Sequence, residues 1–589
     1  MAVARGVFAP KRWGKRLTPD PTFRTTFSQM RTIGCELYDR RQKVYRSIKN
    51  KRITTIGDKQ MSDPDYIIVG SGINALVAAA MLGKKGKKVL VLERNPQIGG
   101  CLRTEEITQP GFVHDVMATT MVLFITSPAF AALGKDLEAS GLEFCQTATP
   151  TGVLRPDGSH AFLAMNRAEN IANFEKLAPG DGQAFDREMN RFGGNAGFVF
   201  GLLGGNLWSM ATAKLVAKEA WSRGLKGLAG FFGEALAPAR SYLETTYQSE
   251  EMKALWAPWA LHCGLGPESS YGAEMTKVIG FAIELAGCPI VKGGAVNLLK
   301  AFEKLIRDQG GDIITGADVD EVIIGQGGKA SGVRLTDGRS FKAGGGVVAS
   351  MTPDQIYKRL LKNGTTALPD YVQDGLKAYR YGKGNMQIHY ALKAPPRWKA
   401  GEALSKVALL HLTPGLDGVS RSSNEAERGL LPAEPTVCVG QPTSFDPSRA
   451  PEGQSILWLQ LPDTPRFIKG DAAGTLDCPA DGRWTEALRE AFADRVEAML
   501  RHHIENFDEV VIARRAYSPA DLEAMNMNLV GGDPYGGFCG LDQFFLWRPF
   551  KRPNNHATHV PGLYHIGAST HPGPGLGGGS GFLLAASLI

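Results

Sequence analysis

The sequence predicts an α/β protein, with α+β character in its outer parts, made of two interleaved domains. One is a parallel sheet wound with helices and assembled from discontinuous segments of chain. The other carries an antiparallel sheet beneath a helical cap. Three observations predict this. A strand, a glycine turn, a helix and a second strand follow one another from Tyr66 to Leu92. A second glycine-rich passage from strand to helix lies at the other end of the chain, where 13 of the 71 glycines fall in the last sixty residues. Between them, stretches with the alternation of strands stand beside a helical, aromatic region.

With 589 residues, 43% apolar and 21% charged, the chain can bury a sizeable core, which excludes a disordered or fibrous protein. Residues 1–60 carry 15 Lys+Arg against 4 Asp+Glu, leaving 51 and 55 in the remainder. The net charge of +7 therefore belongs to a basic N-terminal extension, and no nucleic-acid partner is expected. That extension lacks the apolar stretch of a secretory signal. It reads as a transit-type or accessory arm, or as a segment upstream of a start at Met61. Nothing in the sequence sets the oligomeric state.

Eight cysteines are scattered without a CxxC pair, so zinc ribbons, thioredoxin-like pairs and Cys-ligated clusters lack their ligand spacing. No metal site is expected, and scattered cysteines in a long chain favour a reduced, cytoplasmic setting. Phe192–Ala213 is uncharged, but Gly and Asn interrupt it, so no membrane span is predicted. It reads as core, as the wall of a greasy cavity, or as a peripheral membrane contact. Import into an organelle by residues 1–60 stays open.

Along the chain, Tyr66-Ile-Ile-Val is a short apolar strand of the doubly buried kind, and Gly70-Ser-Gly72-Ile73-Asn74-Ala75 follows at once. A helix is predicted over Ile73–Lys85, with Gly86 as its C-terminal stop. Lys88–Leu92 is the next strand, with Glu93 at its end, 23 residues after Gly70. Gly70 permits the tight turn, and Gly72 lets backbone approach a pyrophosphate at the helix N-terminus. Ala75 keeps helix and strand close, and Glu93 accepts from a ribose diol. A lone GxGxxA would be weak; the ordered strand, turn, helix, strand and acid make a Rossmann-like dinucleotide site.

Gly99-Gly100-Cys101-Leu102 then brings backbone against the cofactor again, beyond what an NAD site needs. Near the C-terminus, Gly562–Gly567 reads as a strand, followed by a glycine-rich run through Gly577 and Gly578 and a helix over Phe582–Leu588. The two ends of the chain are thus expected to close on one cofactor.

These stretches resemble the FAD-dependent phytoene desaturase-like superfamily, in the branch of carotene ketolases and pyridine nucleotide-disulfide oxidoreductase domain proteins. The resemblance rests on Ile67–Leu76, Leu92–Gly100, Gly293–Leu298, Gly540–Phe545 with Arg548-Pro549, and Gly562–Pro572, and spans roughly residues 65–589. It implies FAD as cofactor, held by Gly70, Gly72, Ile73, Asn74, Ala75, Glu93, Arg94, Gly99, Gly100, Cys101, Leu102, Gly567, Ala568, Gly577 and Gly578, with Val319 meeting the adenine through its backbone. Cys101 departs from the Arg or Ala usual in the family. Asp542 and His571 fall in motifs expected near the flavin, with proton transfer or loop orientation as their role.

A helix is expected over Gly293–Gln309, with strands at Asp312–Thr315, Val319–Ile324, Ala330–Leu335 and Val347–Ala349. Gly325-Gln-Gly327 lies between strands with no following helix and is read as a turn. With no second nucleotide domain, the electron acceptor is expected to be diffusible, oxygen or a quinone. A hairpin (Gly152–Leu163) opens the substrate part, which continues through Phe198, Phe200, Trp208, Trp221, Phe231, Phe232, Trp256 and Trp259. These aromatics are core or the lining of a tunnel. His502-His503-Ile-Glu505 and His114-Asp115 read as structural polar groups.

The expected organisation is a basic extension (1–60), FAD-binding segments 61–150, 286–354 and 540–589, and substrate segments 151–285 and 355–539. The function implied is an FAD-dependent oxidoreductase that dehydrogenates or oxygenates a hydrophobic, polyene-type substrate. The rivals are a flavin-dependent isomerase, an amine or alcohol oxidase, and a non-catalytic interaction protein whose basic arm meets an anionic membrane.

Overall fold

The computed structural model describes residues 63–362, 368–552 and 554–589. The readings of the basic extension, of Met61 and of Cys35 lie outside these residues. Strand β1 (Tyr66–Val69), helix α1 (Ile73–Gly83) and strand β2 (Val89–Leu92) form the predicted start, with every residue of both strands buried. The helix stops two residues earlier than expected. Lys84 caps it, and Gly86, at φ +75°, takes the left-handed turn that follows.

The chain continues through the hairpin β3 (Thr149–Leu154) and β4 (His160–Leu163) into six helices, four of them of twelve residues or more. These four are α2 (Asp181–Gly204), α3 (Met210–Ala235), α4 (Glu250–Leu261) and α5 (Gly272–Ala286). Helix α6 (Ala295–Asp308) leads to β5 (Asp312–Ile314), and β6 (Val319–Ile324), β7 (Ala330–Leu335) and β8 (Ser340–Lys342) make a meander before β9 (Gly346–Ser350). Then come β10 (Gly384–Leu392), β11 (Val407–Leu412), β12 (Val437–Gly440), β13 (Ser455–Thr464), α7 (Glu486–His503) and β14 (Val511–Tyr517). Strand β15 (Leu563–Ile566) and helix α8 (Gly579–Leu588) close the chain.

Five strands in the order β15-β9-β1-β2-β5 form a wholly parallel sheet. The first and last strands of the described chain therefore share one sheet, with only β9 between them. A second sheet has seven strands in the order β14-β10-β13-β12-β11-β3-β4; its pairs are antiparallel except β11 with β3. This is the mixed α/β architecture that the strand pattern predicted.

Helix α6 shows how sequence becomes packing. Leu298, Leu299, Ala301, Phe302, Leu305 and Ile306 recur at helical spacing and are buried, joining Leu76 of α1 and Leu584 of α8 in one core. Each large apolar side chain so buried contributes about 1.5–3 kcal/mol. A second core lies between the seven-stranded sheet and helices α4 and α5, around Trp256, Trp259, Ile283, Leu409 and Trp458.

The aromatic run divides. Phe198, Trp256 and Trp259 are buried, but Trp221 is 92% exposed, and Phe200, Trp208 and Phe232 are exposed as well. Helix α3 breaks at Gly224 (φ +68°, ψ 162°) and buries Thr212 alone of its residues. Reading the whole run as core or tunnel is therefore corrected for its middle part. No described helix is long and apolar enough to cross a membrane.

Candidate functional site

A cavity of about 880 Å³ lies where the parallel sheet meets the helical cap. One half is built from backbone. The N-termini of α1 and α8 have no side-chain cap, which leaves first-turn N–H groups without the usual local acceptor. Ile73, Asn74 and Gly579 from these two helix starts line the cavity. Asn74, in α1, accepts at Oδ1 from the Gly581 N–H of α8 at 3.3 Å, joining residues 507 positions apart. Both helix dipoles thus favour negative charge at one place.

The glycines divide the work. Gly70 sits at φ +93°, and a Cβ there would lie 3.0 Å from the Ser350 carbonyl oxygen. A Cβ at Gly72 would meet no protein atom within 4 Å, so this glycine keeps backbone accessible to the cavity. Gly100 rests on Gly72, its would-be Cβ 3.2 Å from the Gly72 Cα, so the two glycine motifs touch.

Glu93 is buried and anchored. One carboxylate oxygen accepts from the Ser71 N–H (3.0 Å) and the Ser71 hydroxyl (2.6 Å); the other accepts from the Asn95 N–H (2.9 Å). Three of roughly four acceptor positions are filled, leaving one for a hydroxyl in the cavity. Ser71 also receives the Gly99 N–H at 3.0 Å. At the same end the Val319 carbonyl oxygen accepts from Arg359 (2.7 Å), which also pairs with Asp318.

Of the residues expected to bind cofactor, Gly70, Gly72, Ile73, Asn74, Glu93, Arg94, Gly99, Gly100, Cys101, Leu102, Val319, Gly567, Ala568 and Gly577 line this cavity. Ala75 does not; it is buried inside α1. Gly578 does not either; it is the left-handed N-cap of α8 and faces Val77. Cys101 lies beside the Asn526 amide (3.7 Å), and burial pushes its thiol up to about 11, so it is a neutral wall group.

The structure does not bring Asp542 and His571 to the cavity. Asp542 is exposed and paired with Arg380 at 2.5 Å. His571 is held at Nε2 by the Gly205 carbonyl (2.9 Å), and burial lowers its pKa to about 4. Its place is that of a loop anchor, with the neighbouring Pro572 on the wall instead. His502 contacts the Pro156 carbonyl at 2.8 Å, as a structural group. Asp115 is buried and accepts from Arg449 at 3.0 Å, also as a structural group. The turn reading of Gly325–Gly327 stands: a short 3₁₀ turn joins β6 to β7 there.

The other half of the cavity is built from side chains of α2, α5 and the flanking loops, among them Phe200, Leu203, Met275, Val278, Phe281 and Phe544. Leu123, Phe200 and Leu285 are exposed at its rim. The lining acids, Glu93 and Asp318, both lie at the dinucleotide end. Sequence reasoning missed His262, Arg359 and Asn526 on the wall, none of which stands at a motif spacing; it also missed Ser71 and Phe544, although both lie within recognised motifs.

A family model described as an NAD(P)-binding Rossmann-like domain matches residues 68–137. The chain is 26% identical to the pyridine nucleotide-disulfide oxidoreductase domain-containing protein 2 of Mus musculus, over 88% of this chain and 92% of the relative. It is 24% identical to the neurosporene-forming phytoene desaturase of Rhodobacter capsulatus, over 88% and 93%. It is 26% identical to the zeta-carotene-forming phytoene desaturase of Myxococcus xanthus, over 87% and 90%. Among solved structures, an oxidoreductase from Methanosarcina mazei has a TM-score of 0.55 at 15% identity, covering 89% of this chain and 99% of that one. A putrescine oxidase has a TM-score of 0.54 at 14% identity, covering 89% and 99%, and these structures share the fold. Over most of its length the sequence is similar to phytoene desaturases and pyridine nucleotide-disulfide oxidoreductase domain proteins, and its N-terminal part matches a Rossmann-like dinucleotide-binding domain.

Proposed function

We propose that the protein is an FAD-dependent oxidoreductase that dehydrogenates or oxygenates a hydrophobic, polyene-type substrate. The observation that carries this reading is the division of one cavity into a backbone-built, anion-accepting half and an apolar half. When bound, FAD supplies a two-electron acceptor that takes a hydride at the flavin N5.

The chain's own residues bind, orient and dehydrate. The uncapped starts of α1 and α8, at Ile73 and Gly579, would receive the pyrophosphate, and Glu93 offers its remaining acceptor position to the ribose. Met275, Val278, Ile279 and Phe281 give an elongated apolar ligand a surface that excludes water. An amine substrate is disfavoured, because a cation in this half would find no carboxylate in the lining. His262, Cys263 and Tyr535 border it, and burial lowers the first to about 4 and raises the other two, so none carries charge. Oxygen or a quinone serves as electron acceptor, since no second nucleotide fold stands among the described residues.

A peripheral contact with a lipid surface fits α3. Trp221, Leu225 and Met210 are exposed there beside the exposed Lys214, Lys218 and Lys226. The oxidoreductase reading is tested by releasing the cofactor from the purified chain, identifying it by mass and absorption, and titrating the holoprotein anaerobically with polyenes. FAD that bleaches with substrate is expected. Absence of FAD after reconstitution overturns the reading; turnover of double-bond geometry without bleaching replaces it with an isomerase.

A further inference from the structure

A cluster of three potential metal ligands stands beside the cavity, drawn from three elements. His411 in β11 and Cys438 in β12 are direct cross-strand partners, and His262 caps the C-terminus of α4 above them. One ligating atom from each lies within 4.8 Å of the others. His411 and Cys438 are completely buried, while His262 is partly open and borders the cavity.

The surroundings make an apolar explanation costly. Leu409, Trp458 and Trp259 belong to the same core cluster as Cys438, so two imidazoles have been placed in a greasy layer. The two rings satisfy each other at one point only, Nε2 to Nε2 at 2.9 Å. The Nδ1 of His411 has no hydrogen-bond partner, although no part of the residue reaches solvent. The Nε2–Nε2 contact brings two ring nitrogens together beside the Cys438 thiol, where one cation would take both in place of their single hydrogen bond.

We propose that His262, His411 and Cys438 hold a zinc-class divalent cation, with the fourth coordination position turned toward the cavity. Two imidazoles and a thiolate suit a borderline-soft ion, and three protein ligands with one open position is the arrangement of sites that also take a ligand oxygen. Binding releases one proton to solvent, from the Cys438 thiol. Each imidazole keeps one proton on the ring nitrogen that does not coordinate, and the site carries a net charge of +1. The open position would take water, or the carbonyl or hydroxyl oxygen of a molecule in the apolar half. The His–His contact must widen by roughly half an ångström to admit a metal with bonds of about 2.0–2.1 Å. None of these three ligands depends on a bound flavin.

The test uses the full chain, purified without metal-affinity chromatography, and zinc and cobalt as probes. Expected is zinc at one equivalent per chain that survives gel filtration, and a cobalt derivative with thiolate-to-cobalt absorption. Cys438→Ser should remove that absorption. His262→Gln, a change at the more open ligand, should weaken zinc binding by more than the ~10–100-fold typical of losing an outer-shell partner. Added zinc should raise the thermal midpoint of the wild type and leave both variants unmoved, and circular dichroism confirms that each is folded. If the wild type neither contains nor takes up zinc, or if the variants bind it equally well, the proposal falls and the cluster is a hydrogen-bonded imidazole pair beside a buried thiol.

Discussion

The two halves of the cavity are made of different material. The dinucleotide end is backbone: two uncapped helix starts, glycines in contact with one another, and a carboxylate fixed by N–H groups. The apolar end is side chain, carried by α2 and α5 and open at Leu123, Phe200 and Leu285. Backbone recognition demands particular residues at particular spacings, because only glycine leaves the peptide groups accessible. Side-chain lining demands only size and apolarity, which many sequences supply. The first half can therefore be read locally, and the second is left to the fold.

Arg449, in the connection between β12 and β13, ties that side of the seven-stranded sheet to the start of α6 and carries the largest expected effect. It is completely buried and donates to Asp446 (2.8 Å), Asp115 (3.0 Å) and the Val291 carbonyl (2.8 Å). Asp115 also accepts the Ala295 N–H at the start of α6 and the Thr104 hydroxyl, and Asp446 accepts the Gly293 N–H. Arg449→Met would leave two carboxylates buried without their cation. A loss of about 3–5 kcal/mol is expected in urea unfolding, with cofactor retention impaired as well. A loss below about 1 kcal/mol would show that Arg449 does not hold the seven-stranded sheet to the start of α6.

A smaller effect should be confined to the side of the seven-stranded sheet. The Asp471 side chain is 2% exposed and accepts both terminal nitrogens of Arg495 at 2.7 Å, together with the Thr475 and Leu476 N–H groups. Desolvation pushes its carboxyl up, but these bonds outweigh it and hold the pKa at about 2, below the ordinary 3.8. A depressed folded-state pKa gives stability that is present above the unfolded value and lost as pH falls through the folded one. Unfolding free energy should therefore drop by about 2 kcal/mol between pH 5 and pH 2 on this account. Arg495→Met should flatten that part of the profile while leaving cofactor binding unchanged.

Two glycine substitutions sharpen the contrast within the backbone-built half. At Gly581 a Cβ would lie 1.9 Å from the Asn74 carbonyl oxygen, so Gly581→Ala must push α8 off α1. The expected loss is about 1–3 kcal/mol, seen as a lower thermal midpoint in the cofactor-free protein. Gly72→Ala meets no protein atom within 4 Å, at a backbone φ of −64° that alanine tolerates. Its stability should change by less than about 0.5 kcal/mol, while cofactor affinity falls. Equal thermal shifts for the two would mean that the cavity wall at Gly72 plays no part distinct from helix packing.

How much was legible follows from the same division. The β1–α1–β2 unit, Glu93 and the closing strand and helix stood in the sequence because each is a local pattern with its own residue requirements. Arg449 was invisible, since its partner Asp115 lies 334 positions away and nothing marks a buried arginine beforehand. His262, His411 and Cys438 are brought together by strand register, which spacing does not encode. Asp542 was read from its neighbourhood in a motif, yet it ends at the surface with Arg380, because a motif fixes backbone course more firmly than side-chain direction.

Helix α3 is where the sequence misled most, and it yields the smallest expected effect on folding. Trp221 and Leu225 flank the break at Gly224 and are 92% and 79% exposed. Exposed apolar residues stabilise little, so replacing both with Gln should move the unfolding free energy by no more than about 0.5 kcal/mol. The same change removes the largest apolar groups from a face that also carries Lys214, Lys218 and Lys226. Sedimentation with vesicles containing anionic lipid should therefore fall sharply, while turnover of a short, detergent-dispersed substrate persists. If the double variant binds vesicles as the wild type does, α3 is an exposed helix of the cap and the apolar rim at Leu123, Phe200 and Leu285 must meet its ligand without help from a lipid surface.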